Sequence, residues 1–596
     1  MSIEILQSID MNNIPSIAPI ELFYRDKPLN KYDSIYGVFL KRIISFNTFW
    51  GAFPLKQWLE NTNIKNLQLN IRGQGKFILK IKTWDGYKEE ILYKKMFDIK
   101  YVKDLTVDIN LENIISPNSI LYPEFEIVED NNTPDFILHS IAYSTSTKPV
   151  REPKLALIVP TYKREKYILK LIDSLLPLLK NQDLPLNLLI IDNGRTLNIK
   201  VSCKKIKIIP NLNYGGSGGF SRGILESLKE NYTHLILADD DIVINPDVVK
   251  RVYQFFKFAK TNDIVLGGGM LKLYSPHILN EKGALIDHLK LYLINSNLDL
   301  TKPKNLIDYI KSTNLDYFAW WFFAGSLKIF ETYGLPMPFF IRWDDQEFCL
   351  RIKNKVKFLP LFGLAVWHED FDKKDNPVTD YYITRNGLIT SALYEKNKFK
   401  LLSNLLKYFG AALLTYRYER AKFILKGIED FLKGPEFLEK IQPDIYHKRL
   451  NEIAEVKPEN KAHLFIPDKF NVPIKPSILR KFFIFLTLNG HLLPSLFMKR
   501  AEKLTDEGFI IEPLHSKRLQ AIFRKTKVLY YEPANEIGLL YTYSKKKFWK
   551  YLIKGILKIG ILYFKYSSLQ KEYKKYHKKL TSIKFWKKYL KLEDSK

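Results

Sequence analysis

Cysteine is almost absent from this 596-residue chain: Cys203 and Cys349 are the only two. They have no metal-ligand spacing and nothing calls for a disulfide, so a reducing compartment suits the chain. The start, MSIEILQSIDMNN, lacks the basic residues and apolar core of a signal peptide, and no run of 18 apolar residues occurs. The nearest approach, Phe482 to Met498, is interrupted by Asn489, Gly490, His491 and Pro494, so it reads as a packed helix and turn or a surface-dipping segment. These absences predict a cytoplasmic protein that does not span a bilayer. Acid is also scarce, with 64 Asp+Glu against 93 Lys+Arg and a net charge of +29. An anionic partner follows: nucleic acid, an anionic membrane surface or a phosphorylated substrate.

What is present belongs to a folded chain, with hydrophobic residues at 46% and aromatics at 14%. Residues 1–150 read as a small β-sandwich. Leu67, Leu69 and Ile71 alternate with polar residues, Gly73-Gln74-Gly75 supplies a turn, and Phe77, Leu79 and Ile81 alternate again, which predicts a hairpin. Further strands are expected at Leu105 to Ile109, Phe125 to Val128 and Phe136 to Tyr143. Residues 151–400 change texture: short apolar runs at Leu155 to Val159, Leu186 to Ile191 and Ile206 to Ile209 alternate with helical stretches such as Lys166 to Lys180. That is α/β logic, a Rossmann-like, mostly parallel sheet with ligands beyond the carboxyl ends of its strands. Residues 401–596 read as helical, with Leu401 to Leu432 one long amphipathic stretch stopped by Gly434-Pro435. The tail from Tyr541 holds 17 Lys and 3 acids. Phe548, Trp549, Tyr551, Tyr563, Phe564, Phe585, Trp586 and Tyr589 lie among those lysines, a composition suited to an anionic membrane interface or to a solvated face with aromatic packing behind it.

The sharpest chemical signal is Leu235-Ile-Leu-Ala-Asp239-Asp240-Asp241, an apolar strand ending in three carboxylates. Hard oxygen ligands there suit Mn²⁺ or Mg²⁺, and a metal with open positions neutralises a departing diphosphate. A loop capping the helix that begins at Asn245-Pro246 is the plainer alternative. Two other strands run into Pro160-Thr161-Tyr162-Lys163-Arg164 and Asp192-Asn193-Gly194, which outlines a nucleoside pocket in which Thr161 or Asp192 meets the base or ribose and Arg164 the base or phosphate. Asn213-Tyr214-Gly215-Gly216-Ser217-Gly218-Gly219 opens a helix where backbone approaches a ligand or a turn needs positive φ. It is neither a P-loop nor a dinucleotide fingerprint. Trp343-Asp344-Asp345 and Trp367-His368-Glu369 follow: Asp345 is the candidate general base for a sugar hydroxyl, and His368 either completes a metal site or is a buried histidine. Of Trp320 and Trp321, one is available to stack on a sugar.

In this order the motifs resemble the family 2 glycosyltransferases, and within them the bacterial galactofuranosyltransferases that polymerise galactan. Thr48-Phe49-Trp50-Gly51-Ala52-Phe53-Pro54, Asn213 to Gly223, Asp239 to Asp241, Trp343-Asp344-Asp345, Trp367-His368-Glu369 and Gly427 to Pro435 carry the likeness. It implies a β-sandwich, a GT-A domain and a helical region in succession. It implies inverting transfer of galactofuranose from UDP-galactofuranose to a lipid-linked or growing cell-envelope glycan. Asp239 and Asp241 with His368 are then the metal ligands, and Asp239 and Asp240 meet the nucleotide sugar together with Thr161, Arg164, Asp192, Asn213, Gly215 and Gly216. Asp345 is the base, Asp344 orients the acceptor hydroxyl, and Trp320, Trp321, Trp343 and Glu281 shape the acceptor site. The protein would sit peripherally on the inner face of the cell membrane, with a homo-oligomer allowed and no nucleic acid as partner. Tyr381-Tyr-Ile-Thr-Arg-Asn386 resembles a segment of rhamnosyltransferases, so dTDP-rhamnose is the alternative donor. A non-catalytic basic protein that binds glycan or nucleic acid is the alternative of another class, and it would have no need of Asp239 to Asp241 or Asp345.

Overall fold

The computed structural model describes residues 3–28, 34–35, 38–112, 119–128, 135–199, 202–311, 314–369, 376–395, 397–455, 459–460, 477–498, 510–532 and 536–592. The chain is α/β: strand-rich at the start, mixed in the middle and helical towards the end.

The strand-rich region is one hydrogen-bonded network of nine strands that branches at a long strand, Leu67–Trp84. Glu89–Ile109 runs along one of its edges, while Ile120–Val128 and Ile137–Thr145 share the other. The hairpin expected at Gly73-Gln74-Gly75 is therefore replaced by a continuous strand with a bulge. Both flanking ladders slip register here. Gly75 has φ +114°, and a Cβ on Gly73 would lie 2.5 Å from the Ile137 carbonyl oxygen, so glycine serves close strand approach where it looked like a turn.

This region braces the middle of the chain. Trp50 packs its ring 5.2 Å from that of Trp367, and the side chain of Gln57 bonds the backbone at both Pro360 and Phe362. The central sheet has seven strands, of which Phe322–Ser326 alone runs against its neighbours. Continuous burial of Leu155–Val159, Leu188–Ile191 and His234–Ala238 matches a sheet covered on both faces. A smaller sheet joins Ile242–Ile244, Ala365–His368, Gly269–Lys272, Ser275–Glu281 and Leu298–Asp299.

After residue 400 the expected single amphipathic stretch breaks into Lys398–Leu414 and Tyr418–Phe431, because Tyr416 takes φ +63° between them. A small sheet that the helical reading did not anticipate pairs Ile510–Pro513, Lys527–Glu532 and Ile537–Thr542. The tail forms helices Lys545–Leu580 and Ile583–Tyr589. Of its aromatics, Phe548, Tyr551, Phe585 and Trp586 are buried against protein, whereas Phe564 is 82% exposed. Aromatic packing thus claims half of the side chains that composition had offered to a membrane. No helix among the described residues is long and apolar enough to cross one.

Candidate active site

Parallel strands ending in register bring the chemistry to one edge. Thr161 stands opposite Asp192, and the strand His234–Ala238 delivers Asp239 beside them. Antiparallel pairing of Ile242 with His368 then sets the imidazole against the acids. His368 Nε2 lies 3.5 Å from Asp239 Oδ2 and 3.2 Å from Asp241 Oδ1. The three donor atoms lie within 4.8 Å of one another, and two carboxylates with one imidazole suit Mn²⁺ or Mg²⁺. The ring's orientation fits a ligand. Nδ1 lies 2.5 Å from the carbonyl oxygen of Glu369, which can only accept, so Nδ1 carries a proton and Nε2 is the nitrogen turned towards Asp239 and Asp241, where a cation would replace its proton. Although burial opposes charge on this histidine, the two aspartates push its pKa up to about 9, a measure of how strongly the pair attracts a cation.

Asp240, expected to meet the nucleotide sugar, is buried, and accepts from Thr161 Oγ at 2.7 Å and from Arg164 Nη1 at 2.8 Å. Arg164 also donates to Asp241 at 3.1 Å. The arginine expected beside base or phosphate therefore partly neutralises the acidic run. Burial works against its charge, but Asp240 and Asp241 outweigh that and raise its pKa. Asp192 is buried too, and its carboxylate accepts the backbone N–H groups of Gly194 and Leu197, both at 2.9 Å, which shapes its own loop.

The second acid cluster opens the helix Asp344–Ile352. The backbone leading into it is strained: Phe340, Arg342 and Trp343 have φ of +75°, +66° and +72°, a left-handed conformation that non-glycine residues seldom adopt. Asn386 and Arg385, both buried, hold it. The Asn386 amide donates to the carbonyls of Phe339, Ile341 and Arg342, and Arg385 donates to Phe339 and to the Asn386 amide oxygen. Burial, then the neighbouring Asp344 charge, pushes Asp345 well above the usual carboxylate range, and burial raises Asp344 likewise, opposed by the Ser217 hydroxyl at 3.3 Å. The Asp239 charge also raises both, so the two acid clusters lie within electrostatic reach of each other.

The glycine-dense segment lies between them. Gly215 has φ +67°, and a Cβ there would lie 2.1 Å from the Phe340 carbonyl oxygen; one on Gly216 would lie 3.5 Å from Asp344 Oδ2. The Asn213 side chain accepts from the N–H of Gly215, the first residue of the helix Gly215–Lys229, at 3.3 Å. The glycines thus let the strained turn approach the helix, a role that the reading as a ligand-binding loop had not included.

The proposed acceptor residues separate. Trp320 packs among Phe220, Phe323 and Phe348, so it belongs to the core. Trp321 donates to the Gly268 carbonyl at 3.1 Å and has its ring 6.1 Å from His368. Trp343 lies against Gly387. Glu281 is buried and pushed up to about 8 by desolvation, and Tyr317 lies within electrostatic reach of both Glu281 and Asp345. Ser217 and the bracing roles of Asn386 and Arg385 had no signal in spacing, because the backbone they support is strained only in three dimensions.

Residues 156–319 match the family described as Glycosyl transferase family 2, and they hold the strand ends and the acidic run just described. Over that segment the chain is similar to the family 2 glycosyltransferases. The chain is 26% identical over 483 residues to galactofuranosyltransferase GlfT2 of Mycobacterium tuberculosis, covering 73% of each chain. To GlfT2 of Mycolicibacterium smegmatis it is 33% identical over 255 residues, 39% of each chain. Among solved structures, Staphylococcus aureus TarS residues 1–349 overlap 50% of this chain and 86% of that one, at 16% identity and a TM-score of 0.31.

Proposed function

We propose that the protein transfers galactofuranose from UDP-galactofuranose to a hydroxyl of a growing or lipid-linked glycan, by single displacement with inversion. The observation that carries this reading is the convergence of the Asp239, Asp241 and His368 cluster with the buried Asp344 and Asp345 pair. The kinship with galactofuranosyltransferases favours the donor. Asp239, Asp241 and His368 would hold Mn²⁺ or Mg²⁺, which offsets charge on the departing diphosphate. Arg164 and Thr161 fix the acidic run, so that Asp239 and Asp241 present their oxygens in one geometry. Asp345, made more basic by burial and by Asp344, takes the proton of the attacking hydroxyl. Asp344, seated on Ser217, orients that hydroxyl, and Trp321, Trp343 and Glu281 face the acceptor.

The rhamnosyl alternative loses its main support, because Arg385 and Asn386 of the shared segment brace the backbone. The tail serves an anionic membrane surface through Ile553, Ile556, Leu557 and Phe564, all more than half exposed and flanked by lysines. UDP release from UDP-galactofuranose with a galactofuranosyl acceptor, with Mn²⁺ and with EDTA, tests the transfer. Turnover with dTDP-rhamnose alone would reassign the donor, and no turnover with either nucleotide sugar would overturn the reading.

A further inference from the structure

Behind the strained turn the helices Thr379–Tyr394 and Lys398–Leu414 splay apart around a cavity of about 440 Å³. Ile383 and Thr384 line it from the first helix, and Asn404, Lys407, Tyr408 and Ala411 from the second. Leu289, Lys290 and Lys517 complete the wall. Two features set this cavity apart from a packing gap. Thr384 and Asn404 are 1% and 6% exposed, yet the Thr384 hydroxyl and the Asn404 amide nitrogen have no hydrogen-bond partner among the described residues. Buried donors are left unpaired at a cost, and each such group calls for an explanation. Among the described residues the lining also holds three lysines and no carboxylate. Two inner donors beneath three rim cations match an anion with several acceptor oxygens.

We propose that this cavity is an anion site for a phosphoryl or diphosphoryl group, separate from the cluster at Asp239. Thr384 and Asn404 would donate to its oxygens, Lys290, Lys407 and Lys517 would balance its charge, and Leu289, Ile383 and Ala411 would receive an apolar neighbour. The position links it to the reaction site: Leu289 and the Trp343 ring both lie against Gly387, at 2.5 and 3.1 Å from where its Cβ would be. A phosphorylated acceptor could therefore be held beside the turn that presents Asp344 and Asp345. The binding itself does not depend on which sugar is transferred.

Lysine acetylation footprinting by mass spectrometry, on the full chain in EDTA with inorganic pyrophosphate as probe, tests the site. The expected result is at least about threefold protection of Lys290, Lys407 and Lys517 over lysines elsewhere, lost in Asn404→Leu although all three lysines remain. Thr384→Val is the second variant should Asn404→Leu not fold. A short prenyl diphosphate distinguishes the source: protection at roughly tenfold lower concentration than pyrophosphate assigns the site to a lipid carrier, and equal protection assigns it to free phosphate. Uniform protection of all lysines, or protection unchanged in the folded variants, overturns the proposal and leaves only diffuse surface charge.

Discussion

Asn386 donates its side-chain amide to the carbonyl oxygen of Arg342 at 2.9 Å, two residues before the paired acids begin. The same amide reaches Ile341 and Phe339, so one buried side chain holds a left-handed turn made of ordinary residues. Asn386→Ala should lower kcat on the order of 100-fold, since small misplacements of a reacting group cost about that much, while donor KM stays within about threefold. Steady-state kinetics on a variant with native circular dichroism checks the split; an unchanged kcat would mean that the turn holds itself.

Asp345 should impose the acid limb of the pH–rate profile. Its raised pKa places the loss of activity above the ordinary carboxylate range as pH falls, because the base works only when deprotonated. Asp344→Asn removes the neighbouring charge and should move the limb of the residual rate to lower pH by roughly one unit. The profile of kcat/KM for the two proteins gives the answer, and a limb that does not move would deny the coupling.

Much of this site was legible in the chain. An apolar strand running into Asp239-Asp240-Asp241 announces a sheet edge with carboxylates, and the structure sets Asp239 and Asp241 against His368 there. The internal bonds were not legible: only the fold shows that Asp240 accepts from Thr161 and Arg164 and that Asp192 accepts from the backbone of its own loop. Trp320 and Trp321 are adjacent in the turn that precedes the strand Phe322–Ser326, and only the fold shows that one enters the phenylalanine core while the ring of the other lies near His368. Glycine patterning misled at Gly73 and Gly75, since a turn and a close strand approach ask for the same residue.

Glu347 ties the helix Asp344–Ile352 to the tail. Fully buried, it pairs with Arg351 and with His577 at 2.7 Å, and although burial opposes its charge these partners hold its pKa down to about 2. Its pKa is depressed on folding, so its contribution is present above the unfolded value and is lost as pH falls from about 4.5 towards about 2. Glu347→Ala, which leaves Arg351 buried and without its carboxylate, should cost roughly 3–5 kcal/mol in denaturant unfolding at pH 7, with less loss near pH 2.

The last helix is also a prop for the site. Trp586 donates its indole N–H to the Pro336 carbonyl at 2.9 Å, and the Tyr589 ring lies 4.8 Å from that of Tyr214, next to Gly215. Deleting residues 581–596 should therefore lower turnover in membrane-free solution, where a purely membrane-binding tail would be dispensable. Assays with a short soluble acceptor decide between the two.

The most direct test of the account is Asp345→Asn against wild type, measured as acceptor-dependent UDP release from UDP-galactofuranose with Mn²⁺ and, in parallel, as calorimetric UDP affinity. The account predicts turnover lower by roughly 1000-fold or more with UDP affinity unchanged, because Asp345 acts on the acceptor's proton and not on the nucleotide. Turnover within about tenfold of wild type would contradict its role as the base.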